Sequence, residues 1–183
     1  MKRFSAILFF ISVSFTFCTK EGQPDNSSKA YFDLKGFFKN EAEYLQKKNP
    51  LINKTIAKND LKESKKVSIR NWVNELELFA ASDINKSAWK DLYEVKNSQN
   101  STQYLAKDGK LRTRKIIIDK SSVGKIKHIF ILNQVANNLY SSTEELNYYP
   151  DSLYSIRKKQ KILIIGDNNY SITGDLPAHD RIN

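Results

Sequence analysis

From about residue 92 the chain is a succession of short strand candidates cut by turn residues, and this limits the second half to an antiparallel sheet. The apolar and β-branched runs fall at 92–95, 102–106, 111–119, 125–132, 137–149, 154–165 and 170–173. Between them stand Asp108-Gly109, Ser121 to Gly124, Pro150-Asp151 and Asp167-Asn168. Asx-Gly pairs and proline turns reverse a chain sharply, because glycine and asparagine accept positive φ and proline fixes its own. Strands joined by such short turns must pair antiparallel. Within 137–149 a bend is expected at Ser142.

The first half carries helical spacing. Tyr31, Leu34, Phe38 and Leu45 recur on one face, with Phe37 and Tyr44 widening it. Ser27 or Ser28 can cap that helix, and Asn49-Pro50 ends it, because the residue before proline avoids the helical region. A second helix is expected over 69–81, with Trp72, Val73, Leu76, Phe79 and Ala80 inward. Residues 52–59 and 61–68 can pair as a hairpin across Asn59-Asp60, although their alternation is poor. Residues 83–91 read as a connector carrying Trp89, and both tryptophans as core plugs. The expected class is α+β: two N-terminal helices, then an antiparallel meander sheet of about five or six strands, able to curve on itself.

The strand at 125–132 alternates Ile126, His128, Phe130 and Leu132 with Lys125, Lys127, Ile129 and Ile131. It becomes apolar on both faces toward one end, as do Ile116-Ile117-Ile118 and Ile162-Leu163-Ile164-Ile165. A sheet apolar on both sides needs cover on both sides. Helices can cover one. The other calls for curling of the sheet, a second chain or a bound apolar ligand.

Residues 1–17 set the compartment. Met1-Lys2-Arg3 is a positive start, and Phe4 to Phe17 is an apolar run too short to span a bilayer, which takes roughly 20 apolar residues. The run ends at Cys18, the chain's single cysteine, followed by the polar stretch 19–26. This is the layout of an export signal, and a lone thiol cannot close an internal disulfide. Phe15-Thr16-Phe17-Cys18 resembles a bacterial lipobox, with Phe17 where Gly, Ala or Ser is usual. That resemblance implies lipidation at Cys18, a tether over 18–26 and a single domain over 27–183. Thr19 stands where Asp retains proteobacterial lipoproteins at the inner membrane, so the outer membrane is the implied home. Lys20-Glu21 leaves surface display open.

Eleven per cent aromatic residues argue for a folded chain. The formal charge is +10, and loss of Lys2 and Arg3 with the leader leaves +8. Such a surface at a membrane attracts anionic lipid or glycan. Nucleic acid is excluded by the compartment. No phosphate loop, paired histidines or second cysteine supports a nucleotide or zinc site, and no cofactor is expected. His128 on its strand face reads as a satisfied core histidine, and His179-Asp180 lies in the last residues. No nucleophile-elbow pattern accompanies either, and Gly166-Asp167-Asn168 reads as turn chemistry, not a calcium loop.

Arg157, Lys159 and Lys161 would share one strand face, with Lys158 on the other and Arg112 and Arg114 on a neighbouring strand. These five are the candidate contacts for an anion or headgroup, with Tyr140, Tyr148, Tyr149 and Tyr154 nearby in sequence. The mature chain resembles uncharacterised lipoproteins of the Bacteroidota through Phe37-Phe38-Lys39-Asn40-Glu41, Asn71-Trp72 to Phe79, Ser82 to Lys86 and Trp89-Lys90-Asp91. The resemblance implies location only. The expected function is a non-enzymatic binding or structural role at the envelope, with an envelope partner protein, lipid or glycan. Carriage of lipid or another apolar ligand is the alternative, and envelope hydrolysis the second.

Overall fold

The computed structural model describes residues 29–164 and 166–176. The leader, the tether, Cys18, Ser27, Ser28, His179 and Asp180 lie outside the described residues. Helix α1 runs Leu34–Lys48, followed by the hairpin β1 (Leu51–Lys58) and β2 (Leu61–Ser68). Two single-turn helices, α2 (Trp72–Glu75) and α3 (Glu77–Ala80), and a 3-10 turn at Ser87–Trp89 come next. Then follow β3 (Tyr93–Asn97), β4 (Ser101–Ala106), β5 (Thr113–Lys120), β6 (Ile126–Ala136), β7 (Tyr140–Tyr149), β8 (Leu153–Ile162) and β9 (Gly166–Asp175). The sheet has nine antiparallel strands in the order β2-β1-β9-β8-β7-β6-β5-β4-β3.

This corrects the expectation of two helices followed by five or six strands. The hairpin stands between the helical segments and joins the sheet beside β9, not beside its neighbour in sequence. Its alternation is poor for a physical reason. β2 is an edge strand, exposed at seven of its eight positions and carrying Lys62, Lys65 and Lys66, a common guard against edge pairing. Only Ile52 and Val67 reach the core from this hairpin. The second helix breaks at Leu76, whose ψ of 8° interrupts the helical run.

Asp33 caps α1, its carboxylate accepting from Gly36 N at 2.9 Å. At the other end Asn49 takes the left-handed conformation (φ 45°), its N–H bonding Leu45 O, and Pro50 prevents continuation. Leu34, Phe38, Ala42 and Leu45 are buried along one stripe. They lie on the sheet face that carries Ile116, Ile118, Ile129, Ile131, Leu146, Tyr148, Tyr154 and Ile156. Trp72, Leu76 and Phe79 complete this layer. Phe38 and Phe79 meet Tyr148 edge-on, and Trp72 meets Tyr154 at 6.3 Å and 79°. Glu75 accepts from the Tyr154 hydroxyl and pairs with Lys54 at 2.7 Å, fastening α2 to β8 and β1.

The chain reverses between β6 and β7 at residues 137–139, where Asn137 Oδ1 accepts from the N–H groups of Leu139 and Tyr140. β7 then runs unbroken through Ser142. The reversal after β8 comes between Ile162 and Gly166, not at Asp167-Asn168, which belong to β9. Leu163 and Ile164 therefore cap a turn, 68% and 91% exposed, instead of lining a strand.

Burial, with Tyr31 beside it, pushes the Tyr93 hydroxyl up to about 12 against the opposing charge of Arg114. Burial also raises Tyr104, partly offset by its bond from Phe32 N, and burial with the Glu75 carboxylate raises Tyr154 further still. A raised tyrosine contributes stability that is complete below its unfolded value, near 10, and lost as pH climbs through the folded one. In an absorbance titration these three of the nine tyrosines should ionise only as the fold opens. A single wave of all nine near pH 10 would show that they are not buried.

Candidate functional site

The sheet separates the five basic candidates. Arg157, Lys159 and Lys161 share the face turned away from the helices, opposite Ser171, Asn169 and Asp167 of β9. Arg112 and Arg114 do not sit beside them, because β6 and β7 lie between β5 and β8. Arg114 turns back on its own loop, its Nη1 donating to Asp108 O at 3.0 Å. Tyr148 and Tyr154 are fully buried and unavailable to a headgroup.

Arg112 instead meets Lys158 on the helix-facing side, through Glu144. The Glu144 side chain, 9% exposed, pairs with Arg112 Nη2 at 2.7 Å and Lys158 Nζ at 3.0 Å. Register explains the meeting: Glu144 pairs across β7–β8 with Lys158 and across β6–β7 with Asn133. Arg112 precedes β5, and its carbonyl accepts from Gln134 N. Burial works to raise the Glu144 carboxyl, but the Lys158 bond and the charges of Arg112 and Lys158 outweigh it and hold it below the ordinary carboxylate range.

Beside this triad lies a half-open pocket of about 220 Å³, lined by Arg112, Asn133, Tyr140, Ser142, Glu144 and Lys158 among others. Asn133, 1% exposed, donates through Nδ2 to Ser82 Oγ at 2.8 Å and, more weakly, to Glu144. Its Oδ1 and the Ser142 hydroxyl are buried without a hydrogen-bond partner among the described residues. Tyr140 accepts from Gln160 Nε2, so its hydroxyl proton remains available to the pocket. The lining thus brings together two cations, a carboxylate, an amide and two hydroxyl side chains. Sequence reasoning reached Arg112 but not Glu144, Asn133 or Ser142. A Glu, an Asn and a Ser on alternating strand positions give no pattern until register aligns them.

His128 is a correction of a different kind. It lies on the face away from the helices, not in the core. Its Nδ1 faces Asp119 at 3.1 Å, its Nε2 faces Asn147 at 2.9 Å, and its ring stacks on Tyr149 at 4.3 Å. Both nitrogens are engaged in holding three adjacent strands together, a structural arrangement. Phe130, Leu132 and Ile117 share that face, half-buried among neighbouring side chains.

A wider groove of about 760 Å³ runs between α1 and α2–α3, floored by Phe38, Ala42 and Leu76 and rimmed by Lys35, Lys39, Glu77 and Asp83. Its mixed rim shows no preference for one charge. Among the described residues no group of three His, Cys, Asp or Glu is placed to hold a metal ion, and no helix is long and apolar enough to cross a membrane. No protein-family model, curated protein or solved structure matches this chain.

Proposed function

We propose that this chain is a lipid-anchored protein of the bacterial cell envelope, moored at the outer membrane through Cys18, and that it binds a small polar ligand beside Glu144 without transforming it. The observation that carries the binding site is that Asn133 and Ser142, whose Oδ1 and Oγ are buried without a hydrogen-bond partner among the described residues, both line one pocket. A buried polar atom left without a partner costs about 1–3 kcal/mol, which a ligand or an ordered water recovers by supplying the missing bond. The matching ligand carries hydroxyl or amine donors for Asn133 and Glu144, and acceptors for Arg112, Lys158 and Tyr140. A polyhydroxylated ring of the kind found in envelope glycans has this chemistry and about this size. The alternative of an apolar cargo finds less support, because Trp72, Phe38, Phe79, Tyr148 and Tyr154 fill the space between helices and sheet.

Two measurements test the two parts. Growth with labelled palmitate should mark the full chain and leave Cys18→Ser unmarked; an unmarked parent chain removes the anchor. Thermal unfolding of the chain from Thr19 onward with envelope monosaccharides should show a rise in Tm for at least one sugar, absent in Asn133→Leu. No rise across the panel, with the site filled by water alone, removes the ligand.

A further inference from the structure

We infer that the end of the sheet formed by the β6–β7 and β8–β9 turns is a membrane-contact tip that dips into the interface of a bilayer with anionic headgroups. Leu139, Leu163 and Ile164 stand 64%, 68% and 91% exposed on these two turns. The turns are joined, Leu163 N donating to Leu139 O at 3.0 Å, so the three side chains form one apolar prow. Leu61, 77% exposed, stands at the β1–β2 turn of the same sheet end. Large aliphatic side chains held this far into solvent gain nothing from the fold, and their clustering at hairpin tips marks a surface built to meet something apolar.

The surrounding charge selects the partner. Lys58, Lys62, Lys159 and Lys161 stand a few residues back from the tips, against the acidic residues Asp60, Glu63 and Asp167, of which Glu63 pairs with Lys65. Apolar tips backed by lysines match the layers of an anionic membrane, acyl chains first and phosphates next. A second protein copy would have to bury those lysines against each other.

Orientation agrees, and here the inference rests on the proposed anchor at Cys18. Tyr31, near the start of the described chain, packs on Tyr93 and Tyr104. Tyr93 opens β3, at the sheet end that also carries the β6–β7 and β8–β9 turns. Ten residues lie between Cys18 and Lys29, a reach of at most about 40 Å. An acyl anchor within that reach lets this end of the sheet face the bilayer, with the Glu144 pocket close behind the tip.

The experiment uses the chain from Thr19 onward, which lacks the acylated residue but keeps every core residue from Tyr31 to Leu176. It is therefore independent of whether Cys18 is modified. Ile164→Cys, labelled with an environment-sensitive dye, should shift to the blue with phosphatidylglycerol-containing vesicles, and much less with phosphatidylcholine alone. The same dye on Val123→Cys, at the opposite end of the sheet, should not respond. Leu163→Ser combined with Ile164→Ser should weaken vesicle binding about tenfold or more, with the folded spectrum unchanged. No shift at position 164, or equal shifts at 123 and 164, overturns the inference. So does a shift that appears without vesicles and grows with protein concentration, which would assign the tip to self-association.

Discussion

Replacing Trp72 with alanine is expected to cost about 3–5 kcal/mol, the range for emptying a buried aromatic site. Trp72 is fully buried and is the largest side chain in the core. It sits on a four-residue helix that has almost no stability of its own. The helix is held by what it packs against: the Trp72 ring on Tyr154, Gln46 Oε1 on Trp72 N, and the Glu75 contacts with Lys54 and Tyr154. Losing the ring therefore loosens the covering layer as well as opening a cavity. A drop in Tm of about 10 °C or more should be seen by calorimetry. Trp72→Phe should cost about half as much, since Trp72 Nε1 has no hydrogen-bond partner among the described residues and only volume is lost. Equal losses for the two variants would mean that the indole nitrogen is bonded after all.

Glu144→Gln should destabilise the fold by about 2–3 kcal/mol at neutral pH. Removing one member of a buried pair costs roughly 3–5 kcal/mol because the other charge stays behind. Here the Arg112 and Lys158 side chains are 34% and 30% exposed, so water relieves part of that cost. The pH dependence separates this cause from a packing defect. The Glu144 carboxyl is held below its ordinary value in the fold, so its contribution is complete above its unfolded pKa, near 4.5, and is lost as pH falls through the lower native value. The gap between parent and variant should close over that acid window. A gap that persists at the lowest pH at which both remain folded would show that the carboxylate charge is not the source. Ligand binding at the pocket should fall in the same variant, because the two cations lose the group that fixes them.

The helix-facing layer was legible because its signals are local. Leu34, Phe38 and Leu45 repeat at helical spacing, Asn49-Pro50 stops the helix, and Trp72, Leu76 and Phe79 fall inward together. The strand count was not legible, for reasons that lie in the hairpin. An edge strand with lysines along it has no alternation to read, and nothing local says that β1 will lie beside β9, more than a hundred residues later. The run Ile162-Leu163-Ile164-Ile165 misled for a related reason. Its composition is that of a buried strand, yet Leu163 and Ile164 stand on the turn. Composition cannot distinguish apolar residues that face a core from apolar residues held out to meet a partner.

By itself the sequence determined the local features of this protein: an apolar run over residues 4–17 that ends at one cysteine, an excess of basic residues, helical spacing in the first half and antiparallel strands from closely set turns. All of these act over a few neighbouring residues, where backbone preference and hydrophobic period decide the outcome. Tertiary structure alone decided the order of the strands, which face each basic residue takes, and the meeting of Arg112, Asn133, Glu144 and Lys158 around one pocket. That meeting depends on the register of β6, β7 and β8, and a slip of one residue in any of them would turn its side chains to the other face.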